Sequence, residues 1–228
     1  MPNAAAGLNL VHRVSLPAMP GAAGARFPAV VMVHGWLGNE TVMGIFERTI
    51  PPGMVVVSPR APVDANADAK SFGWFPLGED VAAFQSGLAA LREFVAGLSH
   101  VYPVDPSRII LMGFSQGAAM CFALMASDPG LSAGVAGLAG FLPEPARAWL
   151  TPGRLKGKSI LISHGTEDAT VPVEQARLAR ATLQQAGAEV EYHEYAVGHK
   201  LNAQGMADLK RWLASQLVPD ASGPGSPS

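Results

Sequence analysis

Cysteine and clustered positive charge are both scarce in this 228-residue chain. Cys121 is its one cysteine, so no disulfide can form within the chain, and a reducing compartment, the cytoplasm, is the expected location. Sixteen Lys and Arg residues against eighteen Asp and Glu residues give a formal net charge of −2, and the basic residues form no cluster. Nucleic acid and anionic membranes are therefore not expected as partners.

Long apolar runs and a secretory leader are also missing. No uninterrupted apolar stretch approaches the roughly 20 residues that span a bilayer, and residues 1–11 lack the basic start and apolar run of a signal peptide. Apolar residues make up 49% of the chain and charged residues 15%, as is typical of a compact globular enzyme. We expect a soluble protein without stable membrane association, with one domain over residues 1–218 and a disordered Pro/Gly/Ser-rich tail over residues 219–228.

Short apolar runs alternate with segments of helical periodicity along the chain. The predicted strands are 29–33, 54–58, 108–113, 134–138, 159–163 and 189–195. The predicted helices are 79–98, 116–126, 173–186 and 203–217. Residues 7–16 suggest an added antiparallel strand or hairpin at the start. This alternation predicts an α/β fold with a mostly parallel, doubly wound sheet and helices on both faces.

The segment Gly113-Phe114-Ser115-Gln116-Gly117 joins the strongest predicted strand to an apolar helix. A serine in such a sharp turn projects its hydroxyl above the sheet, and glycines two residues to either side avoid collisions there. The Gln116 N–H, at the helix N-terminus, is the expected donor to a tetrahedral oxyanion. An N-cap serine in a glycine-rich turn is the alternative, but the strand-turn-helix context favours a nucleophile.

A serine hydroxyl needs a base to remove its proton, and in this kind of fold the acid and the histidine follow the serine in sequence. Asp168 leaves the predicted strand 159–163, with Glu167 as a rival acid. Of the histidines, only His199 combines a position after the acid with a loop that follows the last strand. The other histidines lie before the serine, at the end of a strand or within one: His12, His34, His100, His164 and His193.

The first long strand ends in Val33-His34-Gly35-Trp36-Leu37-Gly38. A histidine-glycine pair at this position turns the chain so that the next backbone N–H points at the serine. Trp36 N–H is then the second oxyanion donor, with Leu37 N–H as the alternative. His34 is expected to hold this loop by hydrogen bonds.

With these segments, the chain resembles the phospholipase/carboxylesterase family, the small α/β-hydrolases that include acyl-protein thioesterases. The matching stretches are VMVHGWLGNE, SPRAP, RIILMGFSQGAAM, AGFLP, ISHGTEDATVP and the final GH. The resemblance implies a triad of Ser115, Asp168 and His199, with oxyanion donors Trp36 and Gln116. Family members commonly read His-Gly-Leu-Gly-Asp, whereas Trp36-Leu37 precede the second glycine here, which leaves the identity of the first donor open.

The segment 60–78 reads as a long loop rich in aromatic residues, and such loops are usually functional. The candidate substrate-binding residues are Leu37, Trp74, Phe75, Leu77, Phe141 and Leu142. Only residues 143–158 separate the fourth strand from the fifth, which is too short for a large lid domain. An open pocket favours short- or medium-chain esters in solution.

Together these features predict a serine carboxylesterase that acts on a small-molecule ester, with no metal or organic cofactor. Thioester hydrolysis and lysophospholipid hydrolysis are alternatives on the same residues. A catalytically silent ligand-binding protein of this fold is the alternative from another class. The sequence leaves the oligomeric state open, with a homodimer as one option.

Overall fold

The computed structural model describes residues 7–17, 24–66, 70–78 and 80–217. The tail over residues 219–228 lies outside the described residues, and the domain boundary at residue 218 stays a prediction.

The strands and helices alternate along the chain as the sequence predicts. The strands are β1 (His12–Ser15), β2 (Phe27–Val33), β3 (Val55–Pro59), β4 (Val63–Asp64), β5 (Phe72–Gly73), β6 (Val104–Phe114), β7 (Gly134–Leu138), β8 (Ser159–Gly165) and β9 (Glu189–Tyr195). The helices are α1 (Val81–Val101), α2 (Gln116–Ser127), α3 (Glu144–Arg147), α4 (Val173–Gln185) and α5 (Ala203–Ser215). Short 3-10 helices span Val42–Thr49 and Pro129–Leu131.

Seven of the strands form one sheet in the order β1-β3-β2-β6-β7-β8-β9. β1 pairs antiparallel with β3, as the sequence suggested for the start of the chain, and every other neighbouring pair is parallel. β3, which follows β2 in the chain, lies on one side of β2, and β6 lies on the other side. This reversal opens a crevice at the carboxyl ends of β2 and β6, the usual place for a ligand in an open α/β sheet.

The central strands are buried on both faces, and alternate residues point to opposite sides. Val31 of β2 and Leu111 of β6 join an apolar cluster with α1, α2 and α4. Their neighbours Val30 and Met112 join a second cluster with α5 and the 3-10 helix Val42–Thr49. The predicted α/β class, with a mostly parallel sheet covered on both faces, is confirmed.

The segment 60–78, predicted as a loop without a pattern of its own, contains the two-stranded hairpin of β4 and β5. Each strand is two residues long, which is too short for an alternating pattern to show in the sequence. Phe72 N–H also donates to the Gly38 carbonyl at 2.8 Å. The hairpin is thereby fixed against the loop that follows β2.

Hydrogen bonds connect β9, the last strand, with α5, the last helix, on either side of the loop 196–202. Asp208 of α5 is buried and accepts hydrogen bonds from Tyr195 at 2.7 Å, from Gln204 and from Arg211. Arg211 also donates to Glu191 of β9 at 2.6 Å. Burial by itself raises the pKa of Asp208, but the hydrogen bonds from Arg211, Tyr195 and Gln204 outweigh it and lower that pKa to about 2.

We expect this network to make stability depend on pH in the acid range. An aspartate whose pKa is lower in the folded state stabilises the fold above its unfolded pKa, here 3.8, and this contribution is lost as pH falls through about 2. Asp208→Asn should lower the free energy of unfolding at neutral pH by about 1–3 kcal/mol. In this variant the free energy of unfolding should also decrease less between pH 3.8 and about pH 2 than in the wild type. Urea unfolding at several pH values measures both effects. Glu189→Gln removes an exposed carboxylate of β9 as the control, and equal pH profiles for the two variants would contradict the prediction.

Candidate active site

Ser115 lies in the sharp turn between β6 and α2, with φ of 54° and ψ of −119°. A positive φ is uncommon for any residue but glycine and marks a backbone held by its surroundings. The Ser115 N–H donates to the Leu138 carbonyl at the end of β7 at 2.8 Å. The predicted strand-turn-helix geometry is therefore present, with the serine at the carboxyl edge of the sheet.

There is no room for a side chain at either glycine of the turn. A Cβ atom on Gly113 would lie 2.4 Å from the Gly117 carbonyl carbon, and one on Gly117 would lie 2.0 Å from the Val33 carbonyl oxygen. Backbone atoms cannot move aside for such contacts as the end of a flexible side chain can. The expected reason for glycine at both positions is confirmed.

Asp168 and His199 come from the loops after β8 and β9 and are in direct contact. His199 Nδ1 and Asp168 Oδ2 are 2.6 Å apart. The other carboxylate oxygen, Oδ1, accepts from the N–H groups of Thr170 at 2.8 Å and Val171 at 2.9 Å. Asp168 is buried, whereas the rival Glu167 is exposed. The loop thus turns Asp168, and not Glu167, toward the imidazole.

The surroundings of Asp168 keep its carboxyl group ionised. Burial by itself raises its pKa, but the hydrogen bonds from Val171, His199 and Thr170 outweigh burial, so that the pKa lies below its usual value. An ionised carboxylate only accepts hydrogen bonds, so the proton of the imidazole lies on Nδ1. In the neutral ring with this tautomer, Nε2 of His199 carries the lone pair that can accept a proton.

Ser115 and His199 line the same cavity, which has a volume of about 490 Å³. This volume is within the range of roughly 300–1,000 Å³ for small-molecule sites. The His199 ring packs against Phe114, the residue before the serine, with ring centroids 4.9 Å apart. The cavity therefore offers a hydroxyl, an imidazole and room for a ligand at one place.

His34 holds the loop after β2 from inside the protein. Its Nε2 accepts a hydrogen bond from the Ala61 N–H at 3.0 Å, so Nδ1 carries the proton and donates to the Gly35 carbonyl at 2.7 Å. Burial lowers the pKa of His34, which keeps the ring neutral. The expected structural role of His34 is confirmed.

The loop after β2 and the start of α2 both face the cavity. Trp36 and Leu37 are among the residues that line it, and Leu37 has φ of 65°. Gln116 begins α2, where backbone N–H groups have no carbonyl partner within the helix. Two hydrogen bonds hold its side-chain amide: Oε1 accepts from Trp74 N–H at 2.9 Å, and Nε2 donates to the Phe75 carbonyl at 2.8 Å.

Leu37 is the one predicted substrate-binding residue that lines the cavity of Ser115. Phe75 and Phe141 line a second cavity of about 510 Å³, which α1 and α3 complete. Leu77 is 71% exposed and is not among the residues that line either cavity.

Two predicted pocket residues are core residues instead. Trp74 is fully buried, and its Nε1–H donates to the His34 carbonyl at 2.9 Å. Leu142 is also buried, within the apolar cluster beneath α1 and α2. Neither side chain lines one of the two cavities, so their prediction as pocket walls is wrong. The physical reason is that an apolar side chain in a loop packs inward when the sheet below leaves it space.

The apolar walls beside Ser115 that the sequence reading missed come from the 3-10 helix Val42–Thr49, the end of β6, the loop before α5 and α5 itself. They are Val42, Met43, Ile45, Phe46, Phe114, Leu201 and Met206. With three residues per turn, Met43 and Phe46 share one face, which is buried. Val42 and Ile45 share another, which is exposed at the cavity. This period of three is the signal in the sequence that could have found them.

The mostly parallel sheet with helices on both faces is the fold of an α/β-hydrolase. Residues 25–217 match the phospholipase/carboxylesterase family, and the chain belongs to it. A probable carboxylesterase of Oryza sativa subsp. japonica is 29% identical over 222 residues, covering 89% of this chain and 83% of the relative. Acyl-protein thioesterase 1 of Gibberella zeae is 26% identical over 178 residues, covering 71% of this chain and 75% of the relative.

The same fold is found in the carboxylesterase of Bacillus cereus, with a TM-score of 0.80, 21% identity and coverage of 92% of this chain and 95% of that one. The predicted family, fold class and enzyme class are confirmed: the chain is a carboxylic ester hydrolase of the α/β-hydrolase fold.

Cys121 is buried within α2, and burial raises the pKa of its thiol, which makes it part of the core as expected. Among the described residues, no three His, Cys, Asp or Glu side chains are arranged to hold a metal ion. Within that same part of the chain, no helix has the length and apolar character needed to cross a membrane. Cytoplasmic location and oligomeric state stay predictions.

Proposed function

We propose that the protein is a serine carboxylesterase that hydrolyses short- to medium-chain carboxylic esters through an acyl-enzyme on Ser115. The main support is the contact of 2.6 Å between His199 and Asp168 beside a cavity that Ser115 also lines. Nucleophile, base and orienting acid are the parts that acyl transfer by a serine requires.

In the proposed mechanism, His199 Nε2 removes the Ser115 proton as the hydroxyl oxygen attacks the ester carbonyl. The tetrahedral intermediate collapses, His199 protonates the departing alcohol, and the acyl group remains on Ser115. Water then attacks the acyl-enzyme with His199 again as base, which releases the acid. Asp168 fixes the imidazole with its proton on Nδ1 and stabilises the imidazolium form.

The negative charge on the intermediate is stabilised by two backbone N–H groups, those of Trp36 and Gln116. Gln116 is suited to this role because its N–H stands at the start of α2 and its side chain is fixed by Trp74 and Phe75. Each such donor stabilises the transition state by about 3 kcal/mol in comparable enzymes. Leu37 N–H is the alternative to Trp36.

The open cavity of about 490 Å³ supports a preference for short and medium acyl chains. We expect kcat/KM for a series of esters of one alcohol to be highest between acetate and octanoate and lower for palmitate, since a long chain would extend beyond the apolar walls into water. Steady-state kinetics on monomeric substrates measures this. A clear preference for palmitate would refute the chain-length proposal.

Thioester hydrolysis is a second candidate, which the similarity to an acyl-protein thioesterase favours. Oxygen esters and thioesters of the same acid, assayed in parallel, separate the two functions. A lysophospholipid is the third substrate of this comparison. The ester proposal requires that the oxygen ester has the highest kcat/KM of the three.

A further inference from the structure

The charged side chains that line the cavity beside Ser115 are cationic. Arg48 and Lys200 line it from two different elements, the end of the 3-10 helix and the loop that carries His199. Both residues are exposed, so their cationic groups are in contact with water and accessible to a ligand. Among the described residues that line this cavity, none is an aspartate or a glutamate.

Two of the nearest acidic residues along the chain, Glu40 and Asp168, are already in contact with other groups. Glu40 accepts two hydrogen bonds from Arg60, both of 2.7 Å. Glu47, next to Arg48, is exposed and is not among the residues that line the cavity. Asp168 is buried behind the His199 ring, to which it is hydrogen-bonded. Arg48 and Lys200 therefore have no carboxylate partner among the described residues that line the cavity.

The second cavity has the opposite charge. Asp80 and Glu144 line it together with Phe75, Phe141 and other apolar groups, and no lysine or arginine is among its described lining residues. Asp80 also caps α1 by accepting from the Ala83 N–H at 2.9 Å. A ligand with a negative charge is therefore attracted to the cavity of Ser115 and repelled from the neighbouring one.

We infer that the enzyme selects esters that carry a negatively charged group, carboxylate or phosphate, which Arg48 and Lys200 bind while the ester carbonyl lies at Ser115. This inference rests on the proposed esterase function and specifies its substrate class. The apolar residues Val42, Ile45 and Phe46 then contact the carbon chain between the ester and the charge. Two exposed ion pairs favour the charged substrate by roughly five- to tenfold in kcat/KM.

The test compares each anionic ester with a neutral ester of the same shape. Monomethyl adipate and the methyl ester of adipic acid monoamide place the charge on the acid side. Acetate esters of 4-hydroxybutyrate and of 4-hydroxybutyramide place it on the alcohol side. We expect the anionic member of at least one pair to have the higher kcat/KM at low ionic strength, and the ratio to fall toward one at roughly 0.5 M salt, where exposed charges are screened.

The double variant Arg48→Gln and Lys200→Gln should bring the anionic-to-neutral ratio close to one, and Arg48→Glu should push it below the ratio of the wild type. Using the ratio within each variant removes any general change in turnover. The control is the double variant Arg13→Gln with Lys210→Gln, which also removes one arginine and one lysine, but from exposed positions outside the cavity. It should keep the wild-type ratio.

The outcomes separate this inference from the proposed function. If the wild type hydrolyses the neutral esters but shows no anionic preference in either pair, the inference is wrong and the esterase proposal stands. A preference that persists in high salt, or equally in the double variant and its control, also overturns it. If the wild type hydrolyses none of the four esters, both proposals fail. The salt dependence needs no variant, so it decides the matter even if a substituted protein does not fold.

Discussion

Ser115→Ala is expected to lower kcat for ester hydrolysis by roughly four to six orders of magnitude, because Ser115 supplies the only hydroxyl group among the described residues that line the cavity. The oxygen is lost while the Cβ atom in the strained turn is kept. The turn itself is held by the Ser115 N–H bond to Leu138 and by the close approach of Gly117 to β2. The variant should therefore fold like the wild type and bind substrate with little change.

Two measurements check this prediction. A fluorophosphonate probe should label the wild type in a one-to-one ratio and should not label Ser115→Ala. Ser127→Ala, at the other end of the same helix, removes a hydroxyl that bonds Arg92 and the Leu124 carbonyl, and serves as the matched control for labelling and kcat. Substantial turnover by Ser115→Ala would disprove the acyl-enzyme on this residue.

Asp168→Asn is expected to lower kcat by roughly four orders of magnitude, an effect second only to that of the serine. An amide in place of the carboxylate can donate to Nδ1 of His199, which moves the imidazole proton to Nε2. Nε2, the proposed acceptor of the Ser115 proton, then has no free lone pair. The loop should persist, since Asn Oδ1 can still accept from Thr170 and Val171 as Asp168 does.

Glu167→Gln is the matched control, because it removes the neighbouring carboxylate, which is exposed. Steady-state and single-turnover kinetics on one activated ester should show a large loss of acylation rate for Asp168→Asn and almost none for Glu167→Gln. If Glu167→Gln were the more damaging substitution, the assignment of Asp168 as the orienting acid would be wrong.

The strands and the turn that carries Ser115 could be predicted because their signals are local. The runs 134–138 and 189–195 are strands with the expected bounds, and Ser115 lies between a strand and a helix as its flanking glycines require. The contact between Asp168 and His199 also follows from order, because the carboxyl ends of parallel strands meet at one edge of the sheet. For these features, the fold class by itself predicts which residues lie close together.

The pocket walls could not be predicted in the same way. Trp74 and Phe75 are adjacent in one loop, yet Trp74 is fully buried under His34 and Phe75 lines the second cavity. The hairpin of β4 and β5 fixes which of them points inward, and its strands are too short to leave a pattern. Several of the apolar residues that line the cavity of Ser115 belong to a 3-10 helix, whose period of three differs from the periods of α-helices and strands.

The sequence by itself determined the family, the α/β sheet, and the order of serine, acid and histidine, because each depends on short segments whose backbone geometry is set by nearby residues. Only the tertiary structure decided which side chains form the walls beside Ser115 and that Arg48 and Lys200 meet at one cavity. These two cations are far apart in the chain. They line one cavity because the 3-10 helix and α5, which follows the loop of Lys200, pack on the same face of the sheet. No local pattern in the sequence encodes this packing.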